Sequence, residues 1–168
     1  SKLERFDDLL KRKSFNLMDS IETMISHLKP LIEEQKAKVK IDADERADWP
    51  LFGDRYYWDQ IFFNLIENSL KQNQTASKLV VTVKLREVEG EYHLSVCDNG
   101  VGVPSSDLPL IFKRFYRVEK HHARTVKGTG LGLSIVKRAV ESHQGSIKVE
   151  SRPGVLTCFQ ITVPVPGK

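Results

Sequence analysis

The sequence predicts an α/β (α+β) two-layer sandwich, in which one mixed, largely antiparallel sheet is covered on one face by helices. Three observations carry this reading. Residues 55–73 form a strongly patterned helix with aromatic and aliphatic residues recurring on one side. Residues 79–85 and 92–97 alternate apolar with polar and are rich in β-branched residues, with Glu89-Gly90 between them as a hairpin turn. Residues 130–143 return to helical periodicity before 145–149 and 156–163, which read as a closing hairpin.

The remaining elements fill in around these. Leu3, Phe6, Leu9 and Leu10 fall at helical spacing, so residues 1–12 read as the end of a longer helix and 13–168 as one folded unit. Ser14-Phe15-Asn16-Leu17 has the length of an edge strand. Asp19 or Ser20 is placed to cap a helix whose apolar stripe is Ile21, Met24, Ile25, Leu28 and Ile32, with Pro30 inside it as a source of kinking. Val39, Ile41 and residues 49–52 suggest two short strands. Residues 101–127 are rich in Gly, Pro, Ser and basic residues and hold one short apolar helix over 108–115.

Composition narrows the function classes. A chain of 168 residues with 40% hydrophobic and 29% charged residues is an ordinary globular mixture for a single domain. No apolar run reaches the ~20 residues of a membrane span, and the charged start is unlike a signal peptide. Cys97 and Cys158 lie far apart in strand-like segments, without the spacing of a zinc site, and read as a reduced pair of buried small hydrophobes in a cytosolic protein. The net charge of +4 is too small to imply nucleic acid as a partner. Its location is informative, because Lys113, Arg114, Arg117, Lys120, Arg124 and Lys127 cluster in one loop-like stretch with a single acid, Glu119. Such a stretch is either a solvated loop or a site for an anion.

Chemistry enters with the helix over 58–71. At 3.6 residues per turn, Gln60, Asn64, Asn68 and Lys71 share a narrow stripe, while Trp58, Phe62, Leu65, Ile66 and Ser69 form a broad packing face. Asparagine is a mediocre helix former, so two of them one turn apart need a reason. A solvated face would tolerate them; amide oxygens for a hard cation, with the lysine beside them for phosphate, would use them. Asp98-Asn-Gly-Val-Gly-Val-Pro104 follows a strand directly. Its glycines permit a sharp turn against a ligand, and Asp98 is placed to accept a hydrogen bond from an exocyclic amine. Gly128-Thr-Gly-Leu-Gly-Leu-Ser-Ile-Val-Lys137 leads into a helix, so free N–H groups and the helix dipole converge as at phosphate sites. It has neither the ending of a P-loop nor the strand context of a dinucleotide fingerprint. Between the glycine segments, Ile111-Phe-Lys-Arg-Phe-Tyr-Arg117 combines aromatic anchors with guanidinium groups able to reach phosphate bidentately.

In this order and spacing, from Asn64 to Phe159, the segments resemble the N, G1, F and G2 boxes of histidine kinases, relatives of gyrase, Hsp90 and MutL through a Bergerat-type (GHKL) ATP site. The closing Pro153-Gly-Val-Leu-Thr-Cys-Phe159 is similar to the family's last turn and strand. The resemblance implies ATP and Mg²⁺ as cofactors. It makes Asn68 the metal-coordinating asparagine with Asn64 assisting, Lys71 a phosphate contact, and Asp98 the acceptor of the adenine amine. Gly100 and Gly102 would let the backbone pass the base, and Thr157 would hold a water or the base itself. Residues 118–127 would form a lid closed by Gly128, Gly130 and Gly132, with Arg114 and Arg117 reaching phosphate. Nucleotide contacts would extend to Gln72, Val103, Phe115, Lys127, Thr129, Leu131 and Leu133.

The implied reaction is transfer of the γ-phosphoryl group to a histidine on a separate helical hairpin, from which residues 1–12 would lead, and then to an aspartate of a response regulator. The resemblance also implies a homodimeric full-length protein anchored in the inner membrane, this part being a cytoplasmic domain and monomeric alone. Ser69 stands at the usual alanine, Gln72 where an aromatic often covers the base, and Val155-Leu156 at a glycine-containing turn; no expected ligand is missing. His27, in Ser26-His-Leu-Lys-Pro-Leu31, lacks the acidic or polar residue that follows the family's acceptor histidine and reads as a partly exposed helix residue. His143 lies near a helix end, where a simply solvated side chain is one reading. A serine kinase or ATPase of the same superfamily, or a non-catalytic nucleotide sensor, are the competing readings. The box 111–117 and the short length disfavour the clamp-type ATPases, and the joint presence of Asn64, Asn68, Asp98 and the glycines disfavours the sensor.

Overall fold

A computed structural model describes residues 9–74, 76–113, 116 and 132–167. Its elements run β1 (Lys13–Asn16), α1 (Leu17–Glu34), β2 (Lys38–Ala43), β3 (Pro50–Gly53), α2 (Arg55–Gln72), β4 (Val80–Val88), β5 (Glu91–Asp98), a 3₁₀ turn (Leu108–Leu110), α3 (Gly132–Ser142), β6 (Ser146–Arg152) and β7 (Leu156–Pro164). The main sheet has the order β2-β4-β5-β7-β6; β2 is parallel to β4 and the other pairs are antiparallel. β1 and β3 form a separate antiparallel ribbon. The predicted two-layer architecture is therefore present, with a small second sheet in addition.

Strand alternation sets the layers. Val81, Val83 and Leu85 of β4, Tyr92, Leu94 and Val96 of β5, and Phe159, Ile161 and Val163 of β7 are buried beneath the helices. Trp58, Ile61, Phe62, Leu65, Ile66 and Leu70 of α2 fill the other side of that core, joined by Ile21, Met24 and Leu28 of α1 and Val136, Ala139 and Val140 of α3. The ribbon is keyed to the sheet through Tyr92, whose hydroxyl donates to the Pro50 carbonyl at 2.8 Å and whose ring packs on Trp49 at 5.5 Å. Glu89 and Gly90 turn the β4–β5 hairpin with φ of 52° and 80°, a two-residue turn of the kind that matches strand twist.

Several expectations are corrected. The cap of α1 is Asn16, not Asp19 or Ser20; its Oδ1 accepts from Met18 N at 3.1 Å and from Trp49 N at 2.9 Å, so one side chain starts the helix and holds the approach to β3. The apolar run predicted as a helix over 108–115 gives only the 3₁₀ turn at Leu108–Leu110 among its described residues, since so short a segment cannot repay helix nucleation. Cys97 and Cys158 are neither reduced nor buried in the core. They lie opposite each other in the β5–β7 register, on the face away from the helices, half-buried and joined as a disulfide. His143, for which solvation is one reading, is buried. Of the predicted remnant helix, residues 1–8 lie outside the described residues and 9–12 form a turn and coil.

Candidate nucleotide-binding site

The site grows from one row across the sheet. Val81, Asp98, Thr157 and Ser151 are successive register partners on β4, β5, β7 and β6. Asp98 and Thr157 lie on the helix-facing side at the end of their strands, and both are buried. A carboxylate there is costly to ionise. Burial accordingly pushes the Asp98 carboxyl above its ordinary range, against the Gly100 N–H and the polar side chains of Ser69 and Asn73 beside it. The Gly100 N–H donates to Asp98 Oδ1 at 2.9 Å. The Ser69 hydroxyl is buried and closes no hydrogen bond among the described residues.

The turn after β5 is held on both sides. Gly102 has φ of +76°, and a Cβ there would meet the Arg152 carbonyl and Pro153 Cα, each at 2.7 Å. The Val103 N–H donates to Ser151 Oγ at 2.6 Å, and Gly154 N–H donates to the Val101 carbonyl at 2.7 Å. Ser151 Oγ donates in turn to the Leu156 carbonyl at 3.0 Å and lies 3.4 Å from Thr157 Oγ1. The first glycine segment is therefore latched to the β6–β7 turn, and Val103 serves this latch through its backbone.

α2 supplies the opposite wall. Asp54 caps it by accepting from Tyr56 N at 3.0 Å. Gln60, Asn64, Asn68, Lys71 and Gln72 are all half-buried on its less buried side, as the stripe predicts, while Ile61 beside them is fully buried. Lys71 pairs with Glu67 at 3.5 Å, a partner one turn away that the sequence reading did not single out. The start of α3 meets this stripe: a Cβ on Gly132 would lie 3.8 Å from Asn64 Oδ1. Leu133, next along, is half-buried and packs on the core. The structure thus joins the asparagine stripe to the second glycine segment, and the row ending in Asp98 to the first.

The aromatic box is anchored from its first half. Phe112 meets Phe159 edge-on at 6.1 Å, with Lys137 Nζ 5.8 Å from its ring centre, and the Tyr116 hydroxyl donates to Asp107. Arg114, Phe115, Arg117, the stretch 118–127, and Gly128, Thr129, Gly130 and Leu131 lie outside the described residues, as does the Lys127 assignment. Two contributors were missed in the sequence, Asn73 and Ser151. Asn73 sits at a helix end, where asparagine is common; Ser151 shows its role only through its register with Thr157.

Residues 53–167 match the family described as histidine kinase-, DNA gyrase B-, and HSP90-like ATPase. The chain belongs to this family. It is an ATP-binding domain of the kind that sensor histidine kinases carry. Sensor protein RprX of Bacteroides fragilis (strain YCH46) is 31% identical over 165 residues, covering 98% of this chain and 32% of that protein. Sensor histidine kinase WalK of Bacillus subtilis (strain 168) is 38% identical over 105 residues, covering 62% of this chain and 17% of that protein. The domain thus spans about a third or less of the curated relatives it matches. The nucleotide-free catalytic domain of histidine kinase ThkA superposes with a TM-score of 0.78 at 23% identity, over 92% of this chain and 96% of that one, and shares the fold. No helix among the described residues is long and apolar enough to cross a membrane.

Proposed function

We propose that the domain binds Mg²⁺-ATP with the adenine against Asp98 and the triphosphate along α2 and the start of α3, and that it delivers the γ-phosphoryl group to a histidine on a separate helical hairpin. The observation that carries this reading is the buried Asp98 carboxylate, set in a polar row with Thr157 and Ser151, with Gly132 at the start of α3 against Asn64 of the α2 stripe. A carboxylate accepts from an amine and not from a carbonyl, which favours adenine over guanine. Thr157 completes the floor beside it.

Asn64 and Asn68 offer two hard amide oxygens on one helix face, which suits Mg²⁺, an ion that commonly takes one or two protein ligands and fills the rest with phosphate oxygens and water. Bound there, the ion supplies positive charge against the phosphate oxygens. Lys71 exchanges Glu67 for phosphate at little cost, because both groups are part-exposed. The γ-phosphorus–oxygen bond breaks with its electron pair leaving on ADP, while a histidine nitrogen forms the new bond to phosphorus. What this chain contributes is positioning and charge. Arg114 and Arg117 of the aromatic box and Lys127 of the lid add cations, and relay to a response-regulator aspartate follows. The full-length protein is proposed to be a membrane-anchored homodimer and this cytoplasmic part a monomer, with no nucleic-acid partner.

Calorimetric titration with ATP and Mg²⁺ tests the site, and phosphotransfer to a supplied hairpin domain tests the reaction. Asp98→Ala is expected to abolish binding, and Asn68→Ala to leave folding intact while removing transfer. Unchanged ATP affinity in the first variant would remove the adenine assignment; retained transfer in the second would remove the metal assignment.

A further inference from the structure

Asn73 closes α2, and its side chain points back into the protein rather than to solvent; the residue is only 3% exposed. Its Nδ2 donates to the Ser69 carbonyl at 2.7 Å, and its Oδ1 accepts from the Val101 N–H at 2.8 Å. It also fills the space left by the missing side chain of Gly100, where a Cβ would lie 1.9 Å from Asn73 Oδ1. One buried amide therefore ties the end of α2 to the glycine turn, and the Gly100 N–H of that turn donates to Asp98 Oδ1 at 2.9 Å.

We propose that Asn73 is the positioning residue that aims the Asp98 carboxylate at the base, and so sets the preference for a nucleotide bearing an exocyclic amine. This rests on the reading of Asp98 as the base acceptor. By engaging the Val101 N–H, Asn73 fixes the turn that follows Asp98. The Gly100 N–H, held in that turn, donates to Asp98 Oδ1 and restricts the rotation that would turn the acceptor oxygen away from the ligand. Residues that cannot hold the Val101 N–H lose this control of the carboxylate.

The test compares ATP with purine riboside 5′-triphosphate, which lacks the amine, by calorimetry in Mg²⁺ on the whole chain. A hydrogen bond to a charged acceptor corresponds to roughly 10- to 100-fold in affinity, which is the preference for ATP expected of the unaltered protein. Asn73→Ala is expected to cut that preference to within about threefold while affinity for the purine riboside compound holds. Asn73→Leu keeps a comparable volume beside Gly100 but removes the acceptor for the Val101 N–H and the donor to the Ser69 carbonyl, so it is expected to lose the preference too, and it decides the matter if Asn73→Ala fails to fold. Equal losses for both nucleotides would mean a purely structural role and overturn the proposal, as would an undiminished preference in Asn73→Leu. Absence of any preference in the unaltered protein would overturn the Asp98 reading, and this proposal with it, before any variant is consulted.

Discussion

The backbone N–H of Asp54 donates to Nε2 of His143 at 3.0 Å, tying the start of α2 to the residue that follows α3. An amide N–H can only donate, so Nε2 must accept; the ring proton then sits on Nδ1, 2.8 Å from the Ala139 carbonyl that receives it. The ring packs edge-on to Trp58 at 5.4 Å, and a Cβ on Gly53 would lie 2.7 Å from it. Both helices that wall the site are thus fixed by one neutral imidazole. His143→Ala leaves the Asp54 amide buried without its partner and opens a cavity, for an expected loss of roughly 2–4 kcal/mol. Thermal denaturation should show a Tm lower by about 5–15 °C; a Tm within about 2 °C of the unaltered protein would refute the role assigned to the imidazole.

The glycines give a graded prediction. Gly102→Ala combines φ of +76° with backbone atoms at 2.7 Å, whereas Gly154→Ala has φ of +78° and open space around it. The second substitution is expected to cost only the left-handed strain of about 1–2 kcal/mol. The first adds a collision with the β6–β7 turn and is expected to cost more in Tm and to weaken ATP binding. Gly100→Ala is expected to behave like the first, because Asn73 has to move out of its way. Equal Tm losses for Gly102→Ala and Gly154→Ala would show that the latch between the two turns contributes nothing.

How much of this was legible before the structure depends on the residue. Asn64 and Asn68 stood out because they interrupt a helix whose other side is apolar, and α2 places both on the less buried side beside fully buried Ile61. Asp98 and the paired glycines were visible as a turn directly after an alternating strand, and the buried carboxylate is where that pattern put it. Asn73 gave no comparable signal, since its importance depends on where Gly100 and Val101 arrive from the far side of the sheet. The same holds for Ser151 and for the cysteine pair: adjacency across β5, β7 and β6 is a property of register, and register is not written in the spacing of residues sixty positions apart. His143 gave no decisive signal, because a histidine near a helix end has the same local sequence whether its ring turns to solvent or under Gly53.

The Asp98 carboxyl yields a pH prediction whose sign follows from its environment. Burial raises its folded pKa above the ordinary value near 4. The folded state therefore holds this proton more tightly than the unfolded chain. Its favourable contribution is complete below the ordinary pKa and is lost as pH rises through the folded one. At neutral pH the ionised carboxylate weighs against folding, so Asp98→Asn is expected to raise the Tm of the ligand-free domain at pH 7, with the gain shrinking as pH falls toward about 4 and gone below it. ATP binding runs the other way, weakening in the unaltered protein as acid protonates the acceptor. A Tm gain in Asp98→Asn that is the same at pH 3.5 and pH 7 would contradict this account.

The disulfide between Cys97 and Cys158 closes 61 residues of separation on the outer face, one register step from the Asp98–Thr157 pair on the inner face. By chain entropy alone, a loop of this size is worth up to about 4 kcal/mol. Reduction is therefore expected to lower the Tm by up to ~15 °C, and the Cys97→Ser, Cys158→Ser double variant to melt at the reduced value with or without reductant. ATP affinity is expected to change by less than about threefold. The eight register pairs between β5 and β7, with Val96, Phe159 and Leu94 buried beneath them, already fix the inner row without the bond. Differential scanning calorimetry and nucleotide titration on the same reduced and oxidised samples separate the two effects; a large loss of affinity with unchanged Tm would show that the bond acts on the site rather than on the fold.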